Sequence, residues 1–182
     1  MSFERPTLQM LAEITDGTLS GIGTQRIEHL LIDSRNAAIH PNALFIALPG
    51  PRHDGHRYVK SLYDRGLRNF LVSTPVDRNA MPEANVLLVP DTLSALQFIA
   101  AWHRSRFSIP VIGITGSNGK TIVKEWLFQL LRAEERIVRS PGSWNSQVGV
   151  PLSVWQMGPE HTLGIFEAGV SQPKEMPQLE FI

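Results

Sequence analysis

Apolar positions along this chain repeat with two spacings, and the alternation between them marks out the elements. Behind Pro6, residues Leu8, Leu11 and Ile14 fall three apart on one helix face, with Thr7 as cap and Asp16-Gly17 as stop. Residues 27–33 and 43–48 read as strands, the second closed by Pro49-Gly50-Pro51. A polar loop, Arg52-His53-Asp54-Gly55-His56, leads to a predicted helix over 58–65 that ends at Gly66. Residues 70–73 and 86–89 are two more short apolar strands, so strands and helix alternate over short connections, an α/β signature.

A second series begins near Pro90. Asp91 caps a helix with Leu93, Leu96, Ile99, Ala100 and Trp102 at helical spacing. The apolar run Pro110-Val111-Ile112-Gly113-Ile114 reads as a buried parallel strand, and the helix after it is expected to bury Val123, Trp126, Leu127, Leu130 and Leu131. Residues 136–139 and 163–166 read as strands, 150–155 as a short helix, and a last helix is expected from Pro173 to Leu179. The expected organisation is a small α/β domain over residues 1–89 and a mainly parallel, phosphate-loop domain over 90–182. The second shows about three strands where doubly wound nucleotide domains have roughly five or six, so the chain reads as part of a longer protein.

Composition narrows the class without changing it. The 182 residues are 42% hydrophobic and 19% charged, which suits a globular core. The formal net charge of +0 supplies no basic surface for nucleic acid, and no such partner is expected. With no cysteine, disulfides and thiolate metal sites are impossible. The start, Met1-Ser2-Phe3-Glu4-Arg5-Pro6, has no apolar signal core, and no apolar run is long enough to span a bilayer. The expectation is a cytoplasmic protein with no membrane partner.

The strongest chemical signal is Thr115-Gly116-Ser117-Asn118-Gly119-Lys120-Thr121, a glycine-rich turn between a strand and a helix. Glycines let backbone N–H groups approach phosphate oxygens, and the helix N-terminus adds a favourable dipole. Lys120 would set a charge on the β- and γ-phosphates of ATP, and the Thr121 hydroxyl would ligate Mg²⁺. Ile114 stands where the strict phosphate-loop pattern has its first glycine, so the loop is a variant. Glu167 closes a predicted strand at the end where open α/β sheets bind ligands. If that strand neighbours the phosphate-loop strand, the carboxylate is a second magnesium ligand; if not, it is a solvated acid. Asn145 and Ser146 reach the same crevice, on the nucleotide and substrate sides, or are ordinary turn residues. Ser34 and Arg35 end a strand, where Arg suits a phosphate and equally a surface ion pair. Asp54 and His56 flank a glycine in a loop with no third metal ligand evident. Lys124-Glu125 reads as a solvated helix face.

Several of these segments together resemble the Mur ligases. The carriers are Ile114 through Thr121 with Lys124-Glu125, then Trp144-Asn145-Ser146-Gln147-Val148-Gly149-Val150-Pro151-Leu152, then Phe166-Glu167-Ala168-Gly169-Val170-Ser171. Upstream, Asp33-Ser34-Arg35, the run Leu44 to Gly50, and Asp54-Gly55-His56 resemble the domain that holds the UDP-sugar. The resemblance is greatest to the branch that joins D-alanyl-D-alanine to UDP-N-acetylmuramoyl-tripeptide. It implies ATP and Mg²⁺ at Lys120, Thr121 and Glu167, Asn145 in the central cleft, and Ser34, Arg35, Asp54 and His56 on the UDP-sugar side. It further implies a C-terminal domain, supplying adenine and amine contacts, beyond this segment. Two local departures stand out: Ile122 replaces a hydroxyl residue after Lys-Thr, and Trp144 precedes Asn145 where an Asn pair is common. Rival readings are a folylpolyglutamate synthase, which lacks the UDP-sugar domain, a non-catalytic nucleotide or UDP-sugar module, and another Mur-type ligase.

Overall fold

The structure is a computed structural model that describes residues 3–35, 40–50, 53–170 and 175–182. The expected contributions of Pro51, Arg52, Ser171 and Pro173 lie outside the described residues. The chain divides into two compact units, Ser2–Ala95 and Leu96–Ile182, with the division inside a helix.

The first unit carries α1 (Leu8–Ile14), α2 (Val59–Asp64) and five strands, β1 (Thr18–Ser20), β2 (His29–Leu31), β3 (Ala43–Ile46), β4 (Asn69–Val72) and β5 (Asn85–Leu88). The strand order is β1-β5-β4-β3-β2, parallel except for β1, which pairs antiparallel to β5 at the edge. Strands β3 and β4 are buried at every position, the mark of a strand covered on both faces, which is why they read as unbroken apolar runs. On one face Phe45, Phe70, Val72 and Val86 pack with Val59 and Leu62 of α2. Thr7 caps α1 as expected, its hydroxyl accepting from the Met10 N–H at 3.3 Å. The expected helix over 58–65 instead starts with a 3-10 turn, Gly55–Tyr58, because the Asp54 side chain caps that turn three residues earlier. Strand β1 has no counterpart in the sequence reading.

The second unit contains α3 (Thr92–Ser105, begun in the first), α4 (Lys120–Leu131), α5 (Gly149–Val154), α6 (Glu175–Glu180), and β6 (Val111–Ile114), β7 (Ile137–Arg139) and β8 (Leu163–Glu167). All three strands are parallel, in the order β6-β8-β7. The α/β architecture with mainly parallel sheets is therefore as expected.

Two expectations about α4 fail. Trp126 is 64% and Leu130 76% exposed, and Val123 also faces outward. Lys124, read as solvated, is 0% exposed. The helix is rotated relative to the expected stripe: its inward line is Thr121, Lys124, Phe128 and Leu131, spaced three and four apart. Apolar residues occupy both sides of α4, so periodicity alone does not choose between them. The bond from Thr121 to β8 described below fixes the rotation. Among the described residues no helix is long and apolar enough to cross a membrane.

Candidate active site

The site grows from the order of the strands. Because β8 lies directly beside β6 and parallel to it, Ile114 is in register with Glu167. The loop leaving β6 and the carboxylate ending β8 therefore emerge side by side at the C-terminal edge of the sheet, where such folds bind ligands. This answers the question that spacing left open about Glu167: it is buried in the sheet edge, not solvated.

The loop turns on two glycines with left-handed backbone, Gly116 (φ 138°) and Gly119 (φ 79°). Side chains rarely adopt these angles, so the conformation itself requires glycine there. Gly119 is the N-cap of α4, and no side chain caps the helix. The first N–H groups of an α-helix have no intrahelical acceptor and so are available to an anion. Ser117 and Asn118 form the exposed crest between the glycines. Lys120 folds back over the loop and donates from Nζ to the Gly116 carbonyl at 2.7 Å.

Glu167 is the hub. The Thr121 hydroxyl donates to its Oε2 at 3.1 Å, and Asn145 Nδ2 reaches the same oxygen at 3.5 Å. Its backbone N–H donates to Ser140 Oγ at 3.1 Å. Its Oε1 stands 2.9 Å from Lys124 Nζ, a close charge contact without hydrogen-bond geometry, and has no hydrogen-bond donor. Asn145 is itself held by its carbonyl, which accepts from the Gly169 N–H at 2.7 Å. Two oxygen donors side by side, the Thr121 hydroxyl and Oε2 of a buried carboxylate, are a donor set that fits a hard divalent cation such as Mg²⁺. A cleft of about 330 Å³ opens beside them, lined by Lys120, Asn145, Ser146, Gln147, Gly169 and Glu175 among others. Ser146 lines this cleft, but its Oγ accepts from the Gly149 N–H at 3.1 Å at the start of α5. Its hydroxyl thus shapes that turn as well as facing the cleft.

Lys124 is the functional candidate that the sequence reading missed. It lies three residues after Thr121 and four after Lys120, spacing that places it on their side of the helix. Its neighbour Glu125 pairs with Arg139. Burial pushes the Glu125 carboxyl up, but the hydrogen bond and charge of Arg139, with Lys124 behind them, carry it below its ordinary value.

In the first unit the predicted residues engage one another. Arg35 donates to Asp33 through Nε at 3.0 Å and Nη2 at 2.7 Å, while its side chain is 84% exposed. This fork, with the Arg35 backbone N–H, lowers the Asp33 pKa to about 2. The Ser34 carbonyl accepts from Arg65 at 2.7 Å. His56 Nε2 accepts the Ser73 N–H at 2.9 Å, which places the ring proton on Nδ1, where it donates to Asp54 Oδ1 at 2.7 Å. The His56 backbone N–H, then its ring, hold the Asp54 carboxyl below the ordinary range. Ser73 Oγ lies 3.3 Å from the same Nε2, so Ser73, His56 and Asp54 have the outline of a nucleophilic triad. They lack its chemistry, because the lone pair needed to take the serine proton is occupied by a backbone donor.

Two family models match the chain. Residues 26–104 match the "Mur ligase family, catalytic domain" and residues 114–182 the "Mur ligase middle domain". The chain belongs to the Mur ligase family. It is 35% identical over 180 residues to the UDP-N-acetylmuramoyl-tripeptide–D-alanyl-D-alanine ligase of Bacillus subtilis (strain 168), covering 95% of this chain and 38% of that protein. Among solved structures, MurF from Acinetobacter baumannii superposes with a TM-score of 0.88 at 30% identity, covering 98% of this chain and 39% of that one. MurF from Thermotoga maritima, solved in complex with ADP, gives 0.72 at 26% identity over 84% of this chain and 34% of that one. The chain thus spans a little over a third of the length of these relatives.

Proposed function

We propose that this chain is part of an ATP-dependent ligase that adds D-alanyl-D-alanine to UDP-N-acetylmuramoyl-tripeptide in peptidoglycan precursor synthesis. The observation that carries the reading is the pairing of Ile114 with Glu167, which sets a glycine–lysine–threonine loop against a buried carboxylate. The likeness to ligases named for that reaction, and to a relative solved with ADP, supports it. Under this reading the second unit takes the phosphates of ATP. The N–H groups of its helix N-terminus and of the Gly116–Gly119 backbone donate to the phosphate oxygens, and Lys120 leaves the Gly116 carbonyl to meet them. Thr121 Oγ1 and Glu167 Oε2 are the groups that hold Mg²⁺, whose charge offsets that of the phosphates. Asn145 keeps the carboxylate turned toward the crevice, and Ser146 borders the substrate side.

The first unit, by the same reading, receives the UDP-sugar through Ser34, Arg35 and the Asp54–His56 loop. Arg35 is exposed and oriented by Asp33, whereas His56 acts by fixing the loop's shape. In the reaction, a carboxylate oxygen of the tripeptide attacks the γ-phosphorus and ADP leaves, giving an acyl phosphate. The amine of D-alanyl-D-alanine then attacks the carbonyl carbon, loses a proton, and expels phosphate. The residues here contribute position and charge neutralisation rather than covalent chemistry. Phosphate release by the full-length protein, given ATP, the tripeptide precursor and D-alanyl-D-alanine, tests this. Turnover that depends on D-alanyl-D-alanine and disappears in Lys120→Ala is expected. No turnover under conditions where both substrates bind contradicts the assignment.

A further inference from the structure

Lys124 is a buried cation with a function to find. An ammonium group without water is costly unless its charge and donors are all met. Here Nζ donates to the Ser140 carbonyl at 2.8 Å and to the Gly142 carbonyl, and faces Glu167 Oε1 at 2.9 Å and Glu125 Oε1 at 3.4 Å. Glu125 is in turn neutralised by Arg139, which leaves Glu167 as the principal counter-charge. Thr121 and Lys124 lie on one face of α4, and they take different oxygens of the same carboxylate: Thr121 meets Oε2 and Lys124 meets Oε1. The two carbonyls that Lys124 binds open the loop that presents Asn145, whose amide is the other contact to Oε2. Ser140 also receives the Glu167 N–H.

We propose that Lys124 is a positioning residue for the metal ligand: by anchoring Oε1 in the interior it turns Oε2 toward the crevice, and through Ser140 and Gly142 it sets the loop that carries Asn145. The inference rests on the reading of this crevice as a magnesium–nucleotide site. Lys124 is fully buried, held by Ser140, Gly142 and Glu167, so its ammonium acts through these groups rather than from the exposed loop. Lys120, one turn earlier, is the phosphate-facing lysine. Partners that orient a metal's ligands typically contribute about 10–100-fold to metal affinity. A clamp that served only the fold would lower stability and leave the metal dependence of binding intact.

The test is a calorimetric titration of ADP into the protein with and without Mg²⁺, for wild type, Lys124→Met, Lys124→Gln, Glu167→Gln and the double variant Lys124→Met/Glu167→Gln. In wild type, Mg²⁺ strengthens ADP binding. In Lys124→Met that gain falls by about tenfold or more, while metal-free ADP binding stays within about twofold, since the loop and Lys120 are untouched. Glu167→Gln loses the same gain, and the double variant loses no more than either single one, as expected of residues acting on one ligand. Lys124→Gln keeps donors for the Ser140 and Gly142 carbonyls without the charge, and serves if circular dichroism shows Lys124→Met unfolded. Folded Lys124 variants with the wild-type magnesium gain overturn the proposal, as does an additive loss in the double variant. A wild-type protein whose ADP binding ignores Mg²⁺ overturns the site reading itself, and the proposal with it.

Discussion

The polar ends of the two sheets solve the same problem in different ways. In the first unit, charged and polar side chains after the strands satisfy one another at or near the surface: Asp33 with Arg35, Asp54 with His56, His56 with the Ser73 backbone. In the second, Lys124 and Glu167 are withdrawn from water altogether, and the buried carboxylate gathers the Thr121 hydroxyl and the amide of Asn145, a residue that also lines a cleft. The lesson is that polar residues at strand ends do not by themselves distinguish a ligand site. What sets the second unit apart is a buried charge pair with polar side chains gathered around it.

That contrast can be broken by substitution, and the largest effect belongs to the buried pair. Lys124→Ala leaves Glu167 charged in the interior without its counter-charge and should cost about 3–5 kcal/mol of stability, read by denaturant unfolding. A cost near zero would mean the pair is not withdrawn from water. His56→Ala comes next. It strips the Ser73 N–H of its acceptor and the Asp54 cap of a donor, and should cost about 1–3 kcal/mol. Lys120→Ala, one turn before Lys124 but bound only to an exposed loop carbonyl, should change stability by less than about 0.5 kcal/mol. A large loss there would erase the distinction between the two lysines of α4.

The smallest effect sits at Asp33. Its folded pKa lies below the ordinary 3.8, at about 2, so any stabilisation from the Arg35 fork is present above 3.8 and lost as pH falls through about 2. Water reaches both groups, so the expected signature is a titration rather than a melt. In Arg35→Ala the Asp33 carboxyl resonance should titrate close to 3.8 instead of about 2. An unchanged titration would show that the fork is absent in solution.

Much of this was readable from residues alone, for identifiable reasons. Strands β3 and β4 are buried on both faces, so their apolar runs are unambiguous. The glycine loop between β6 and α4 is legible because left-handed glycines, a lysine and a threonine follow a strand in a fixed order. Strand β1 is only three residues, Thr18-Leu19-Ser20, and held by pairing to β5, which no local pattern encodes. The neighbourhood of β6 and β8 is equally non-local, and it alone decides that Glu167 is a buried hub. Lys124 was obscured because its residue type suggested water. Its angular position on α4, shared with Thr121, was the informative property. The triad-like outline at His56 shows the converse case, in which residue types suggest chemistry that a single backbone hydrogen bond removes.

The central claim is that the Gly116–Thr121 loop, set against Glu167, binds the phosphates of a nucleotide. Calorimetry of Mg-ATP with the wild-type chain and with Lys120→Ala tests it most directly, because the variant alters phosphate contact and not the fold. A charge-assisted hydrogen bond is worth about 1.5–3 kcal/mol, so Lys120→Ala should bind roughly 10-fold or more weakly. Equal affinity in the two proteins would contradict the account.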